Sequence, residues 1–391
     1  MPILLPALTA LVTLALSAQG VDVEADEALE GVGVMSGSVD ARASEAPMSP
    51  PPPATSPSSV RANGEATITF NAGVDTNARR VIGEEAVSDA FAGLAGTARG
   101  ELSLDDRHRL HGRYDLGLKK FFNLDAEDLM VQQLALGYVA STASNWTFEA
   151  SANAKLRFSR NGLRDYLDLS GDLSARWRIA RGLALKGELG VRHFSYPHEE
   201  DYGFWGLRGG LWGLWQVHRR LQLALGVRGA LPTYEGFARA SDEMPGSVVR
   251  RDRLLSLQLQ ASYRHQRAAF QGGYLWVGNW SNSLGESFQR HRVFVAMTTR
   301  LPWSVFVGLH LAWQTLHYPD GLYLSDDLID LLLYDDESQS SSTLKLARPL
   351  TEHIEIELKY SLSWMELPRR DDDTSLSYLR QVGTISLVGR F

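Results

Sequence analysis

The chain of 391 residues has no cysteine. That excludes disulfides, thiolate zinc sites and a cysteine nucleophile, and it also excludes a lipid-modified N-terminal cysteine. Beyond the N-terminus no apolar run approaches the roughly 20 residues that a membrane-spanning helix needs. The mean hydropathy of -0.18 argues against a polytopic helical protein in the same way. No block of basic residues suggests nucleic acid, and the formal charge of -7 is spread along the chain. What remains is 44% hydrophobic and 22% charged residues, an ordinary globular balance. It fits two soluble domains or one large transmembrane barrel, whose strands alternate lipid-facing and lumen-facing residues and so average out.

Met1 to Gly20 carries an apolar core from Ile3 to Leu16 and ends in the small residues Ser17-Ala18-Gln19-Gly20. Residues 1–20 read as a secretory signal peptide cleaved after Ala18 or Gly20, although only the terminal amine supplies the usual positive charge. A signal-anchor helix is the alternative, and the apolar run is short for it. Residues 21–62 are a different polymer: acidic at Asp22, Glu24, Asp26, Glu27 and Glu30, then rich in Ala, Ser and Pro, with four prolines at Pro50 to Pro53. Such a segment buries too little apolar surface to offset its ordering entropy, so it reads as a disordered periplasmic linker. A partner-binding arm is the other reading of it.

From residue 63 to 391 the pattern is strict alternation. In His353 to Met365, Ile354, Ile356, Leu358, Tyr360, Leu362 and Trp364 share one face, and Glu355, Glu357, Lys359, Ser361 and Ser363 the other. Leu167 to Ile179 and Trp146 to Ser159 repeat this period of two, the signature of a strand. Similar runs begin near Ala66, Ala90, Arg107, Leu129, Leu183, Phe204, Leu221, Leu254, Ala268, Arg292, Trp303, Ser341 and Tyr378. They give about sixteen strands (14 to 18 as a range), each meeting or exceeding the roughly 9–11 residues of a tilted membrane strand.

Connections alternate too. Asp105-Asp106, Thr142 to Asn145, Ala180 to Gly182, His218 to Arg220, His265 to Arg267, Leu301-Pro302 and Arg348 to Glu352 are short. Between them lie longer segments: Thr76 to Ser88, Tyr196 to Tyr202, Pro232 to Arg251, Asn279 to Glu286, His317 to Glu337 and Glu366 to Ser375. Tight turns at one end and long loops at the other belong to outer-membrane barrels. The expected fold is therefore all-β, an antiparallel up-and-down transmembrane barrel in the outer membrane of a Gram-negative bacterium, both termini periplasmic. A soluble β-sandwich or solenoid would need a domain boundary or a fixed repeat, and neither is visible. Trp146, Tyr196, Tyr202, Tyr274, Trp303, Tyr360 and Trp364 are candidates for interfacial girdles.

Charge is expensive in lipid, so the charged faces must look into the lumen. By alternation this assigns Arg113, Asp115, Lys119, Glu149, Lys155, Arg157, Asp168, Asp172, Arg176 and Arg178 as pore-lining. Lys186, Glu188, Arg192, Arg264, Glu355, Glu357 and Lys359 join them. The signs are mixed, so strong ion selectivity is not expected. The lining either faces water or pairs into salt bridges that close the lumen. Pro232 to Arg251 and His317 to Glu337 are long enough to fold in and narrow it, and Leu328 to Leu333 has the character of a short helical plug.

Chemistry is sparse. His198-Glu199-Glu200-Asp201, Asp335-Asp336 and Asp371-Asp372-Asp373 read as solvated acidic loops, and none has EF-hand spacing. Gly206 to Gly213, with Trp205, Trp212 and Trp215, sits inside a strand pattern with no nucleotide motif after it, so packing explains it. His111 and His310 fall on lumen faces opposite no identifiable serine nucleophile. The expectation is not an enzyme, with no cofactor and no metal.

The C-terminal Thr384 to Phe391 resembles the signal read by the outer-membrane barrel assembly machinery: Ile385, Leu387 and the terminal Phe391 fit it, and Gly389 departs from it. The first strand, Phe70-Asn71-Ala72-Gly73-Val74-Asp75-Thr76-Asn77, resembles the glycine-x-aspartate-x-asparagine opening of barrels of the poly-N-acetylglucosamine export porin type. Leu346-Ala347-Arg348-Pro349-Leu350 and Tyr378-Leu379-Arg380-Gln381 are similar to the end of such barrels. The resemblance implies passive export of a polysaccharide across the outer membrane. Those porins carry a periplasmic helical repeat region, and here only the linker stands in its place, so any conduit would be a separate export protein. The implied partners are outer-membrane lipid, the assembly machinery and that export protein, with no nucleic acid. A non-conducting structural barrel of an envelope assembly and a barrel hydrolase are the competing classes.

Overall fold

The computed structural model describes residues 60–80, 86–162, 165–198, 200–240, 245–320, 339–368 and 375–391. The expected signal peptide, nearly all of the linker, Leu328 to Leu333, Asp335-Asp336 and Asp371 to Asp373 lie outside the described residues.

Sixteen strands follow one another: β1 (Arg61–Asp75), β2 (Asp89–Ser103), β3 (His108–Phe121), β4 (Leu129–Ser141), β5 (Trp146–Ser159), β6 (Tyr166–Ala180), β7 (Leu183–Ser195) and β8 (Phe204–His218). The second half is β9 (Leu221–Arg239), β10 (Pro245–Arg264), β11 (Ala268–Ser281), β12 (Phe288–Arg300), β13 (Phe306–His317), β14 (Ser340–Pro349), β15 (Ile354–Pro368) and β16 (Ser375–Arg390). Each pairs with its chain neighbours, and β16 returns to β1, so the sheet closes into an antiparallel barrel without an edge. Closure is what lipid demands, because an unpaired N–H or C=O there costs several kcal/mol and an open edge exposes a row of them.

Alternation then sorts the side chains. Along β15, Ile354, Leu358 and Tyr360 are exposed on the outer wall while Glu355 and Glu357 are buried on the inner one. The same split holds elsewhere: Leu211 on β8 keeps 67% of its surface exposed, while Asp115 on β3 keeps 1%. An apolar outside around a charged inside inverts the soluble arrangement, and a hydrocarbon surround is the medium that stabilises it.

Loop lengths divide the barrel into two ends. Residues 104–107, 142–145, 181–182, 219–220, 265–267, 301–305 and 350–353 form the short-turn end, where Ala66 and Phe391 also exchange backbone hydrogen bonds of 3.0 and 2.9 Å. Gly182 makes the β6–β7 turn possible: its φ is +87°, and a Cβ would sit 2.9 Å from the Gln216 carbonyl oxygen.

Three expectations need correction. Pro232 to Arg251 does not form a loop that folds into the lumen. Residues 232–239 and 245–251 are strand, so β9 and β10 extend to 19 and 20 residues. Register shifts between Pro245 and Arg251 accommodate the proline, which has no N–H to give the ladder. Tyr196 is only 3% exposed and packs against Phe194, so it belongs to no girdle. Trp303 lies in the β12–β13 turn, at φ 60°, before its strand begins. Outward rings do gather near the ends, with Trp146, Trp177 and Trp215 towards the short turns and Trp205, Trp280 and Trp313 towards the long loops.

Replacing outward Leu211 with arginine should cost about 2–4 kcal/mol in refolding into vesicles. The same change at inward Gln258 should cost clearly less, and denaturant titration of the folded fraction reads both.

Candidate functional site: the barrel lumen

All seventeen side chains assigned to the pore from alternation occupy strand positions on the face opposite the exposed apolar residues. Many meet in ion pairs. The Arg192 guanidinium grips Asp168 at 2.9 and 3.0 Å, and Arg113 reaches Asp115 at 2.6 Å. Lys345 pairs with Glu357 at 2.6 Å, and Arg390 holds Glu355 at 2.9 and 3.2 Å. Lys155 lies 5.5 Å from the centre of the Tyr166 ring. Two-point guanidinium–carboxylate contacts fix geometry as well as charge.

Several pairs span three strands by passing over a glycine. Asp172 on β6 and Arg208 on β8 meet at 2.9 and 2.6 Å across Gly190 of β7, which is in register with both. Glu188 on β7 and Arg228 on β9 meet at 2.6 Å across Gly210 of β8. A Cβ on Gly210 would stand 2.9 Å from the Glu188 carboxylate, and one on Gly190 would collide with the Asp172 carboxylate. The glycines leave the floor over which long side chains reach each other. His111 crosses Gly137 towards Glu149, ending 4.0 Å from it.

The barrel seam forms a second, denser cluster. Asp75, at the end of β1, accepts from Arg380 of β16 at 2.8 to 3.2 Å and from Lys119 of β3 at 3.1 Å. Lys119 also stands 3.9 Å above the centre of the Phe91 ring and 4.4 Å above that of Phe121. Phe91 has room because Gly73 faces it: a Cβ there would come within 2.8 Å of the ring. Asn77 donates to the Leu379 carbonyl at 3.4 Å, and Thr76 N–H donates to the Gln381 carbonyl at 3.0 Å. Each residue of the Gly73-x-Asp75-x-Asn77 motif thus has a physical task, and Asp75 and Asn77 find partners in the Tyr378 to Gln381 segment.

A third cluster binds the β9–β10 extension. Arg250 contacts Asp252 at 2.9 Å and Glu286 at 3.0 Å, and lies 3.9 Å over the Tyr234 ring. Asn279 donates to both Asp252 and the Glu286 carbonyl, at 3.0 and 2.8 Å. Burial in the β11–β12 loop pushes the Glu286 carboxyl upward, with the charge of Arg250 opposing it.

Alternation alone missed Arg208, Arg228, Arg250, Asp252, Lys345 and Arg390, although each obeys it. Arg208 and Arg228 sit in Gly- and Leu-rich runs that read as wall packing, Arg250 sits in the expected loop, and Asp252 falls between that loop and the strand expected from Leu254. His111 and His310 do fall on the inner face. His198 and Asp201 lie in the β7–β8 loop, and among the described residues no group of three or more His, Asp or Glu is placed to hold a metal ion.

Two substitutions test these clusters. Asp75→Ala leaves Lys119 and Arg380 buried around a vanished counter-charge, and should lower stability by about 3–5 kcal/mol, read from the urea midpoint of the refolded barrel. Gly210→Val should cost about 1–3 kcal/mol by breaking the Glu188–Arg228 bridge. Gly96→Val, where a Cβ meets nothing within 4 Å, should be tolerated.

No family model matches the chain, and no curated protein matches it either. Solved structures similar to it include a bacterial polysaccharide outer membrane secretin, at 12% identity and TM-score 0.44, over 84% of this chain and 98% of that one. An anion-selective porin from Comamonas acidovorans is similar at 10% identity and TM-score 0.46, over 85% and 100%. So is the P. putida toluene transporter TodX, at 10% identity and TM-score 0.37, over 84% and 90%.

Proposed function

We propose that this chain is a passive outer-membrane translocation channel whose cargo is an exported polysaccharide. The observation that carries the channel reading is the wall itself: sixteen strands, apolar outside, lined inside with ionised side chains. A barrel of this strand number is wide enough for an aqueous path. Mixed charges and glycines along that path present hydrogen-bonding groups to a hydroxyl-rich polymer without a deep pocket to trap it. The polysaccharide reading is supported by the opening motif at Gly73, Asp75 and Asn77 and the closing segment at Tyr378 to Gln381, which resemble export porins and meet at one seam.

In this reading residues 1–20 direct secretion, 21–62 tether the barrel, and the short-turn end faces the periplasm. Phe391, Ile385 and Leu387, all exposed on the outer wall, serve as the signal for the assembly machinery. The driving force comes from an inner-membrane machine, delivered through a separate periplasmic export protein.

A clean deletion strain should lose surface polysaccharide and regain it with the full gene, while outer-membrane integrity is unchanged. Unaltered surface polymer in the deletion strain would contradict export. Conductance by the purified protein in planar bilayers separates a channel from a non-conducting scaffold.

A further inference from the structure

The mixed signs of the lumen are not evenly mixed in space. Towards the long loops, cations stand against carboxylates: Lys119 and Arg380 on Asp75, Arg192 on Asp168, Arg250 on Asp252. Towards the short turns, from the end of β6 to the start of β13, the pattern breaks. Residues 173–187, 214–225, 258–270 and 296–309 build that part of the wall and contain no aspartate or glutamate. Their inward positions carry Arg176, Arg178, Lys186, Arg264 and Arg300, and the turns add Arg181, Arg219, Arg220 and Arg267.

Among the described residues the carboxylates of this end are on the other arc, and three of them are matched: Glu65 by Arg99 at 3.3 Å, Glu355 by Arg390 and Glu357 by Lys345. The acids flanking the arginine arc are likewise engaged, Glu188 with Arg228 at 2.6 Å and Lys186 at 3.8 Å, Glu149 with His111. Arg176 and Lys186 are direct cross-strand partners, both inward, with Arg178 two residues further along β6. Glu188 answers Lys186 at 3.8 Å, but like charges directly opposite destabilise a sheet, so wall building does not account for Arg176 and Arg178. A ligand that carries negative charge does.

We propose that this arc makes the short-turn mouth an anion-collecting vestibule, that the pore is anion-selective, and that the polysaccharide it passes bears carboxylate or phosphate groups. This rests on the channel reading above and names its substrate class. Guanidinium forks match carboxylate and phosphate oxygens, and a cationic mouth with low-dielectric walls raises the local concentration of anions. With this mouth in the periplasm, the polymer meets the arginines first. Successive acidic groups exchange between Arg176, Arg178 and Lys186 without a single tight site. Anionic lipid headgroups offer the same chemistry to the turn arginines, so the test separates the two sources.

The full chain is inserted into phosphatidylcholine bilayers under a potassium chloride gradient, and the chloride-to-potassium permeability ratio is taken from the reversal potential. The ratio should exceed one, fall about threefold or more in R176Q/R178Q, and hold in R219Q/R220Q, because field focusing is strongest inside the pore. Polygalacturonate added at the short-turn side should block the current, and neutral dextran of equal size should not. Conductance with a ratio of one or less overturns the anion assignment and leaves the channel standing. Selectivity unchanged in R176Q/R178Q, with binding to phosphatidylglycerol vesicles lost in R219Q/R220Q, assigns the arginines to anionic lipid headgroups and overturns it as well. A folded barrel, checked by its heat-modifiable gel mobility, that conducts nothing sinks the channel reading beneath it.

Discussion

Backbone hydrogen bonding in a medium without water governs this molecule. Every strand needs a partner on both sides, so the first strand must find the last, and the whole wall depends on the β1–β16 seam. At its short-turn end Ala66 and Phe391 close the ladder through their backbones. At its long-loop end Asp75 does so through charge, drawing Arg380 of β16 and Lys119 of β3 to one carboxylate. A seam joined by backbone bonds alone has the same ladder in neighbouring registers. A buried carboxylate with two specific cations has one register, since a slip by a single residue would turn Asp75 outward.

Closure also sets the currency of the interior. Once the outer face is given to lipid, most charged residues on the strands are sent inward, and the lumen becomes crowded with ions that need counter-ions. The glycine bridges are one answer: Gly190 and Gly210 let an arginine reach an acid two strands away, which stitches three strands by one contact. The arginine arc near the short turns is the place where this matching stops. On the proposed reading, structure and function separate there, the matched charges holding the wall and the excess of positive charge acting on what passes.

Much of the fold was legible because a period of two is unmistakable in segments such as His353 to Met365, and because loop lengths alternate independently of it. Pro232 to Arg251 misled because proline and glycine mark turns in most contexts, whereas here bulges carry the strand past them. Arg208 and Arg228 were hidden in Gly- and Leu-rich runs whose glycines turn out to serve those very arginines. The Asp75–Arg380 contact spans 305 positions, and alternation assigns a face, never a partner. Charge segregation was invisible for a related reason. Consecutive strands run in opposite directions, so residues far apart in the chain, such as Arg178 and Arg300, share one end of the barrel.

Because the chain has no cysteine, single cysteines report water access directly. Ser174→Cys on β6 and Ser256→Cys on β10 face inward, and Leu173→Cys and Leu257→Cys are their outward neighbours. In proteoliposomes a membrane-impermeant maleimide should label the two inward positions and spare the two outward ones. Labelling of the outward pair, or silence at both inward positions in a folded barrel, would contradict a water-filled lumen within a lipid-facing wall.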